Sequence, residues 1–229
     1  MRVALFDVDG TLVDSQTYSP LTKLLWARPR LRPRMVWLFV KLMPGHLRRN
    51  RSLRHRLASQ NGWAIGYAQL LAGMTVKEAD PILAAACEAL KPKLRPEVLR
   101  EIEARRSEGC TIILASTSMR PLLDHLGPMV GATAWVGTPL EVRDGRYTGR
   151  LGGPLCTGAG KLEYLDSLVR SWGEGIDWDA SYAYSDGLPD LPMLERVGHP
   201  VVVGPDPGLA AEAARRGWPV LSLAQAGQP

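Results

Sequence analysis

Two carboxylates stand two residues apart in Phe6-Asp7-Val8-Asp9-Gly10-Thr11-Leu12, directly after a short apolar run. Neighbouring anions raise one another's pKa unless a cation neutralises them, so a hard, oxygen-seeking ion such as magnesium suits the pair. Such an ion would keep Asp7 ionised and nucleophilic. Gly10 lets the backbone bend far enough for amide donors to approach phosphate oxygens. The same four residues also make an ordinary surface turn, because Asp and Gly are common turn residues.

Three later segments bear on that choice. Ile112-Ile113-Leu114-Ala115-Ser116-Thr117 ends an apolar run in hydroxyls, and Ser116 there can donate to a phosphate oxygen or cap a helix. Gly158-Ala159-Gly160-Lys161 puts a lysine at the start of a helical pattern after a glycine-rich approach, although most lysines are simply exposed. Tyr184-Ser185-Asp186-Gly187-Leu188-Pro189-Asp190 again sets two carboxylates after an apolar stretch. Asp186 could ligate the metal, while Asp190 could hold Lys161 by a charge-assisted hydrogen bond. Helix capping accounts for one of these aspartates more readily than for both.

The elements between these residues alternate. Arg2 to Phe6 and Thr111 to Ala115 read as continuous buried strands, of the kind covered on both faces in a parallel sheet. Pro96 to Glu108 carries a helical period opened by proline and closed by Gly109. A short helical piece near Leu122, strands at Ala132 to Val136 and Tyr182 to Tyr184, and a helix from about Lys161 to Ser171 continue the series. Strands at Val201 to Val203 and Val220 to Leu223 flank a helix at Leu209 to Arg216. This order predicts an α/β fold, a doubly wound parallel sheet whose strand ends open into a ligand crevice. Asp144-Gly145 predicts a tight hairpin over 141–147 that decorates the core.

The chain has 229 residues, 45% hydrophobic and 22% charged, which suits a globular core and excludes disorder. Cys87, Cys110 and Cys156 are odd in number and lack metal-type spacing, so a reducing cytoplasmic setting is expected. Leu57 to Val76 is uncharged yet interrupted by polar residues and glycines, and reads as helix in a globular fold rather than a span. No β signal occurs between Gln16 and about Pro92, where Thr75 and Glu78 form a capping box. The expected division is an α/β core of residues 1–15 and 93–229 with an inserted all-helical cap at 16–92.

The chain resembles the haloacid dehalogenase superfamily, since Asp-x-Asp-Gly-Thr, a strand-terminal Ser, a lone Lys and Ser-Asp-Gly-x-x-Asp follow in that family's order. Tyr147-Thr148-Gly149-Arg150, Tyr182-Ala183-Tyr184-Ser185-Asp186 and Pro192-Met193-Leu194 extend the likeness to its phosphoserine-phosphatase-like branch, subfamily IB. The resemblance implies a phosphomonoester phosphatase in which Asp7 forms an aspartyl-phosphate and Asp9 serves as acid and base. It further implies magnesium held by Asp7, the Asp9 carbonyl and Asp186, phosphate contacts from Ser116 and Lys161, and support from Asp190. A phosphotransferase would share every motif, and a non-catalytic phosphate binder could keep the fold.

In that branch the insertion selects the leaving group. Ser15 to Lys77 contains 12 of the 28 basic residues and no Asp or Glu, so the cap lacks the acid that phosphoserine enzymes of the branch use to bind an ammonium. Arg28, Arg30, Arg32, Arg34, Lys41, Arg48, Arg49, Arg51, Arg54 and Arg56 surround Met35-Val36-Trp37-Leu38-Phe39-Val40, with Trp26 nearby. That mixture suits an anionic membrane surface and a lipid-like phosphomonoester. A solvated arginine face over a core with buried tryptophans is the alternative. No nucleic-acid-binding motif is present.

Overall fold

The computed structural model describes residues 1–48, 53–173 and 175–223, leaving aside the side chains of 43–48 and 53–60. Arg48, Arg49, Arg51, Arg54, Arg56, His46 and His55 fall outside these described side chains.

Six strands form one parallel sheet: β1 (Val3–Phe6), β2 (Thr111–Met119), β3 (Ala134–Thr138), β6 (Tyr182–Ser185), β7 (His199–Val203) and β8 (Val220–Leu221), with β4 (Leu140–Arg143) and β5 (Arg146–Leu151) apart from it. Their order is β3-β2-β1-β6-β7-β8. The chain therefore leaves β1 in one direction and later returns to its other side, which makes the β1/β6 boundary the switch point where a crevice opens. Side chains alternate across the sheet. Ala4, Phe6, Ile112 and Leu114 join one buried cluster, and Val3, Leu5, Ile113 and Ala115 join the other. Both faces are thus covered, which is why the strands read as unbroken apolar runs.

Between β1 and β2 lie only helices and turns among the described residues: α1 (Tyr18–Trp26), α2 (Arg32–Arg48), α3 (Leu53–Leu70) and α4 (Val76–Glu88). Thr75 caps α4 by accepting from the Glu78 amide at 3.1 Å, and Glu78 accepts from the Thr75 amide at 2.8 Å. Leu21, Leu25, Met35, Tyr67, Leu71 and Leu83 share one cluster with Leu114, Leu122 and Leu126, so these helices continue the core of one sheet face, α3 against β2 and α4 against α6. After β2 come α6 (Arg120–Met129), α7 (Ala159–Trp172), α8 (Leu191–Glu195) and α9 (Pro207–Arg216), while α5 (Pro96–Ser107) precedes it. Among the described residues no helix is long and apolar enough to cross a membrane. Cys87, Cys110 and Cys156 are buried free thiols.

Two local features differ from the sequence reading. β2 runs on to Met119, with a register shift against β3 between Ala115 and Met119, so Ser116 sits within an irregular strand rather than after it. The β4–β5 hairpin turns at Asp144 and Gly145, both with positive φ, but reaches beyond the core. Gly73 and Tyr147, and Val76 and Gly145, are joined by backbone hydrogen bonds of 2.8 and 2.9 Å, which ties the hairpin to the α3–α4 junction.

Candidate active site

The switch point assembles the site. Asp7 follows β1, and its amide donates to the Tyr184 carbonyl at 2.9 Å, which brings Asp186, just after β6, alongside. Gly10 has φ +89°, and a Cβ there would lie 2.3 Å from Asp186 Oδ2, so only glycine admits that carboxylate. Thr11 Oγ1 donates to Asp186 Oδ1 at 3.1 Å and faces Asp7 Oδ2 at 3.4 Å.

Lys161, in the first turn of α7, is 2% exposed, and its Nζ lies 2.6 Å from Asp7 Oδ1 and 2.8 Å from Asp190 Oδ2. Burial lowers the lysine's pKa, but Asp190 and Asp7 outweigh it and hold the ammonium charged. Ser185 Oγ donates to the same Asp190 oxygen at 2.7 Å. The structure therefore brings Asp7, Asp186, Lys161 and Asp190 together from segments more than 150 residues apart.

Asp9 faces the cap. Its carboxylate accepts from the Thr17 amide and from Ser118 Oγ, the latter at 2.9 Å. Burial raises its pKa, and the Thr17 amide, Ser118 and the Thr17 hydroxyl partly offset that rise. A carboxyl whose pKa burial raises suits proton donation. Ser116 is fully buried, and its hydroxyl accepts from the Ser118 amide at 3.0 Å. Thr117, rather than Ser116, lines the cavity.

The charges do not balance. Asp7, Asp9, Asp186 and Asp190 crowd one lysine, and burial first, then Asp190, pushes Asp186 up to about 6. Asp7 is also raised, by burial and by Asp190 and Asp186, despite the lowering effect of Lys161. Another cation is what such a site lacks. No three His, Cys, Asp or Glu side chains converge as a metal cage among the described residues. The Asp7 and Asp186 carboxylates, with the Asp9 carbonyl, could offer an all-oxygen donor set of the kind that suits magnesium.

Above these groups is a cavity of about 650 Å³. Its floor is Asp7, Asp9, Lys161, Asp186 and Asp190, and every carboxylate lining it, Asp206 included, comes from the sheet side. The facing wall sets the rings of Tyr18, Phe39, Trp63 and Tyr67 among the polar Gln16, Ser19, Thr22 and Lys23 and contains no acid. Tyr18 and Tyr67 stack at 4.4 Å between centroids, and Phe39 meets Trp63 edge-on at 5.2 Å.

Sequence reasoning did not anticipate Thr17, Ser118 or Ser185 as partners of the carboxylates. Ser185 adjoins Asp186, and Ser118 follows Ser116 by two, so run-on hydroxyls beside the motifs were the available signal.

Residues 4–195 match the model of the haloacid dehalogenase-like hydrolase family, and the chain belongs to that family. It is 32% identical to a probable phosphatase of Mycobacterium tuberculosis, over 97% of this chain and 75% of that protein. A crystal structure of a protein with unknown function from Bordetella pertussis superposes with a TM-score of 0.78 at 27% identity, covering 97% of this chain and 99% of the other. A substrate-bound phosphoserine phosphatase shares the fold, with a TM-score of 0.62 at 16% identity and coverage of 92% and 90%. The protein is thus an enzyme, a phosphoric monoester hydrolase of the haloacid dehalogenase type.

Proposed function

We propose that the protein hydrolyses a small phosphomonoester through an aspartyl-phosphate on Asp7, with residues 16–92 acting as the cap that selects the leaving group. The observation that carries this reading is Asp7 itself, buried at the switch point with one oxygen held by Lys161. Asp7 attacks phosphorus, forming an Oδ–P bond as the bond to the leaving oxygen breaks, and Asp9 gives that oxygen its proton. Asp9 then takes a proton from water, which attacks phosphorus and releases phosphate with Asp7 restored. Lys161 binds phosphoryl oxygens, Asp190 keeps Lys161 in place, and the end of β2, where Thr117 lines the cavity in front of the buried Ser116, supplies the further donor. Asp7, the Asp9 carbonyl and Asp186 would hold magnesium, and a bound ion there would neutralise phosphoryl charge. Water is the acceptor in this reading, and the buried free thiols suit a reducing cytoplasm.

The four rings and the absence of an acid on the cap wall favour an apolar leaving group, so a lipid-like phosphomonoester is the substrate class. Nucleic acid is not a partner in this reading. The direct test is acid quench during turnover of p-nitrophenyl phosphate, followed by mass spectrometry. A phosphoryl adduct on the peptide containing Asp7 is expected, and an adduct elsewhere would overturn the assignment.

Two further outcomes follow. A carboxyl whose folded pKa is raised contributes stability that is complete below its unfolded pKa and lost as pH rises through the folded one, so Asp186 costs stability above about pH 6. Magnesium displaces that proton or neutralises that charge. The melting temperature should therefore rise more on adding magnesium at pH 7.5 than at pH 5.0, and equal shifts would refute the ligand set. Ser118→Ala removes a donor to Asp9 and lets its pKa climb further. The alkaline limb of kcat/KM, set by the acid form of Asp9, should move up by about one unit, the scale of one charged hydrogen bond. An unmoved limb would separate Asp9 from that limb.

A further inference from the structure

Helix α2 exposes apolar residues beside its cations Arg34 and Lys41. Its inner side buries Met35 and Leu38, and Phe39 lines the cavity. At about 100° per residue, Val36, Val40 and Trp37 follow Phe39 around the helix in steps of about 40–60°. They are 49%, 70% and 56% exposed. The apolar surface therefore runs without a break from the cavity wall to solvent. Trp26, the last residue of α1, is also 45% exposed, and its carbonyl accepts from Arg32 Nε at 3.1 Å. Between α2 and α3 an apolar groove of about 450 Å³, lined by Trp37, Leu38, Gly66 and Leu70, continues this face outward.

The cations here are as informative as the apolar groups. Arg28, Arg30, Arg32, Arg34 and Lys41 are exposed. None of them forms an ion pair in the described structure, whereas Arg95, Arg105, Arg106, Arg120, Arg196 and Arg216 in the core all do. Lys41 Nζ instead stands 4.7 Å over the Trp37 ring. Exposed Trp and Val set among unpaired Arg and Lys is the chemistry of a surface that enters the headgroup boundary of an anionic bilayer.

We propose that α2 docks this face on an anionic phospholipid bilayer, so that the cavity opens at the boundary and receives a single-chain phosphomonoester, a lysophosphatidate-type lipid, from the membrane. The hydrocarbon chain lies against Phe39, Trp63 and Tyr67 while the phosphoryl group meets Asp7. This rests on the phosphatase reading above and adds to it a source and a shape for the leaving group.

The test uses the full chain with phosphatidylcholine vesicles, with or without phosphatidylserine, and three substrates: p-nitrophenyl phosphate, glycerol 3-phosphate and oleoyl-lysophosphatidate carried in the vesicles. Co-sedimentation should be at least about tenfold stronger with phosphatidylserine and fall with salt. The kcat/KM for lysophosphatidate should exceed that for glycerol 3-phosphate by about 100-fold or more, because the two differ by an acyl chain. The double variant Val36→Asp, Val40→Asp places charge on an already exposed face. It should keep wild-type melting and wild-type p-nitrophenyl phosphate turnover, yet lose vesicle binding and at least about tenfold of lysophosphatidate turnover. Hydrolysis of p-nitrophenyl phosphate with no chain preference, or a double variant that still sediments with anionic vesicles, would overturn the docking proposal and leave the phosphatase reading intact. Failure to hydrolyse any of the three would instead count against the phosphatase reading.

Discussion

Asp7→Asn is expected to reduce turnover of p-nitrophenyl phosphate in magnesium buffer by at least about 10³-fold, the scale of deleting a nucleophile, while leaving the fold intact. The chemical part of the argument is direct. An amide oxygen is a far weaker nucleophile than a carboxylate, and the amide brings no charge to the metal. The structural part decides what the loss means. Asp7 is 7% exposed and belongs to an anionic cluster in which burial and the neighbouring Asp190 and Asp186 push its pKa up. A raised carboxyl pKa costs folding stability at neutral pH, so replacing Asp7 by a neutral group of the same shape removes a cost. Its oxygen can still accept from Lys161, which also keeps Asp190 at 2.8 Å. The metal-free variant should thus melt at or above the wild-type temperature at pH 7.5. Loss of activity together with a lower melting temperature would point to a structural role for Asp7, and retained turnover would remove the aspartyl-phosphate mechanism altogether.

Asp7 also shows what the sequence could reveal. The strands were legible because a sheet covered on both faces demands unbroken apolar runs, and Val3 to Phe6 and Ile112 to Ala115 are such runs. The α4 start at Thr75 and the Asp144-Gly145 turn were legible because each is a local contract between neighbouring residues. The partners of Asp9 were not. Thr17 and Ser118 are 8 and 109 residues from Asp9, and Ser118 reaches it because β2 continues past Ala115 through a register shift that no local pattern encodes. The hairpin's attachment to the α3–α4 junction is likewise a backbone match between distant segments. The exposure of Trp26 and Trp37 escaped for another reason. From Met35 to Val40 α2 is an unbroken apolar run that covers every side of the helix, and periodicity cannot say which side of such a run faces solvent. Burial of these two tryptophans, the alternative drawn from sequence, does not hold, whereas Trp63 does turn inward to the cavity.

Lys161→Met should do what Asp7→Asn does not, costing both activity and fold. Among the described residues Lys161 is the cation in the floor of the site, 2% exposed and shared between Asp7 Oδ1 and Asp190 Oδ2. Methionine fills much the same volume with no charge. Two buried carboxylates then face each other without their counterion, and removing one partner of a buried ion pair typically costs about 3–5 kcal/mol. The loss has a pH signature. Lys161 is what lowers the Asp7 pKa against burial, so without the ammonium that pKa must rise further and the variant's folded state takes up a proton that its unfolded state does not. Its stability is accordingly recovered as pH falls, and the melting deficit relative to wild type should shrink between pH 7.5 and pH 5.0. Turnover should fall by about 10²–10³-fold, the scale of deleting a fixed donor to a transferring group. Lys161→Arg tests whether charge alone suffices. A guanidinium is larger and planar, and at a site enclosed by Asp7, Asp190 and the first turn of α7 it cannot place one nitrogen between two carboxylates as an ammonium does. Arginine should therefore restore part of the melting temperature at pH 7.5 and little of the turnover. Full rescue of both by arginine would show that the position requires only a positive charge, and a pH-independent deficit in Lys161→Met would show that packing, not electrostatics, sets the stability of this site.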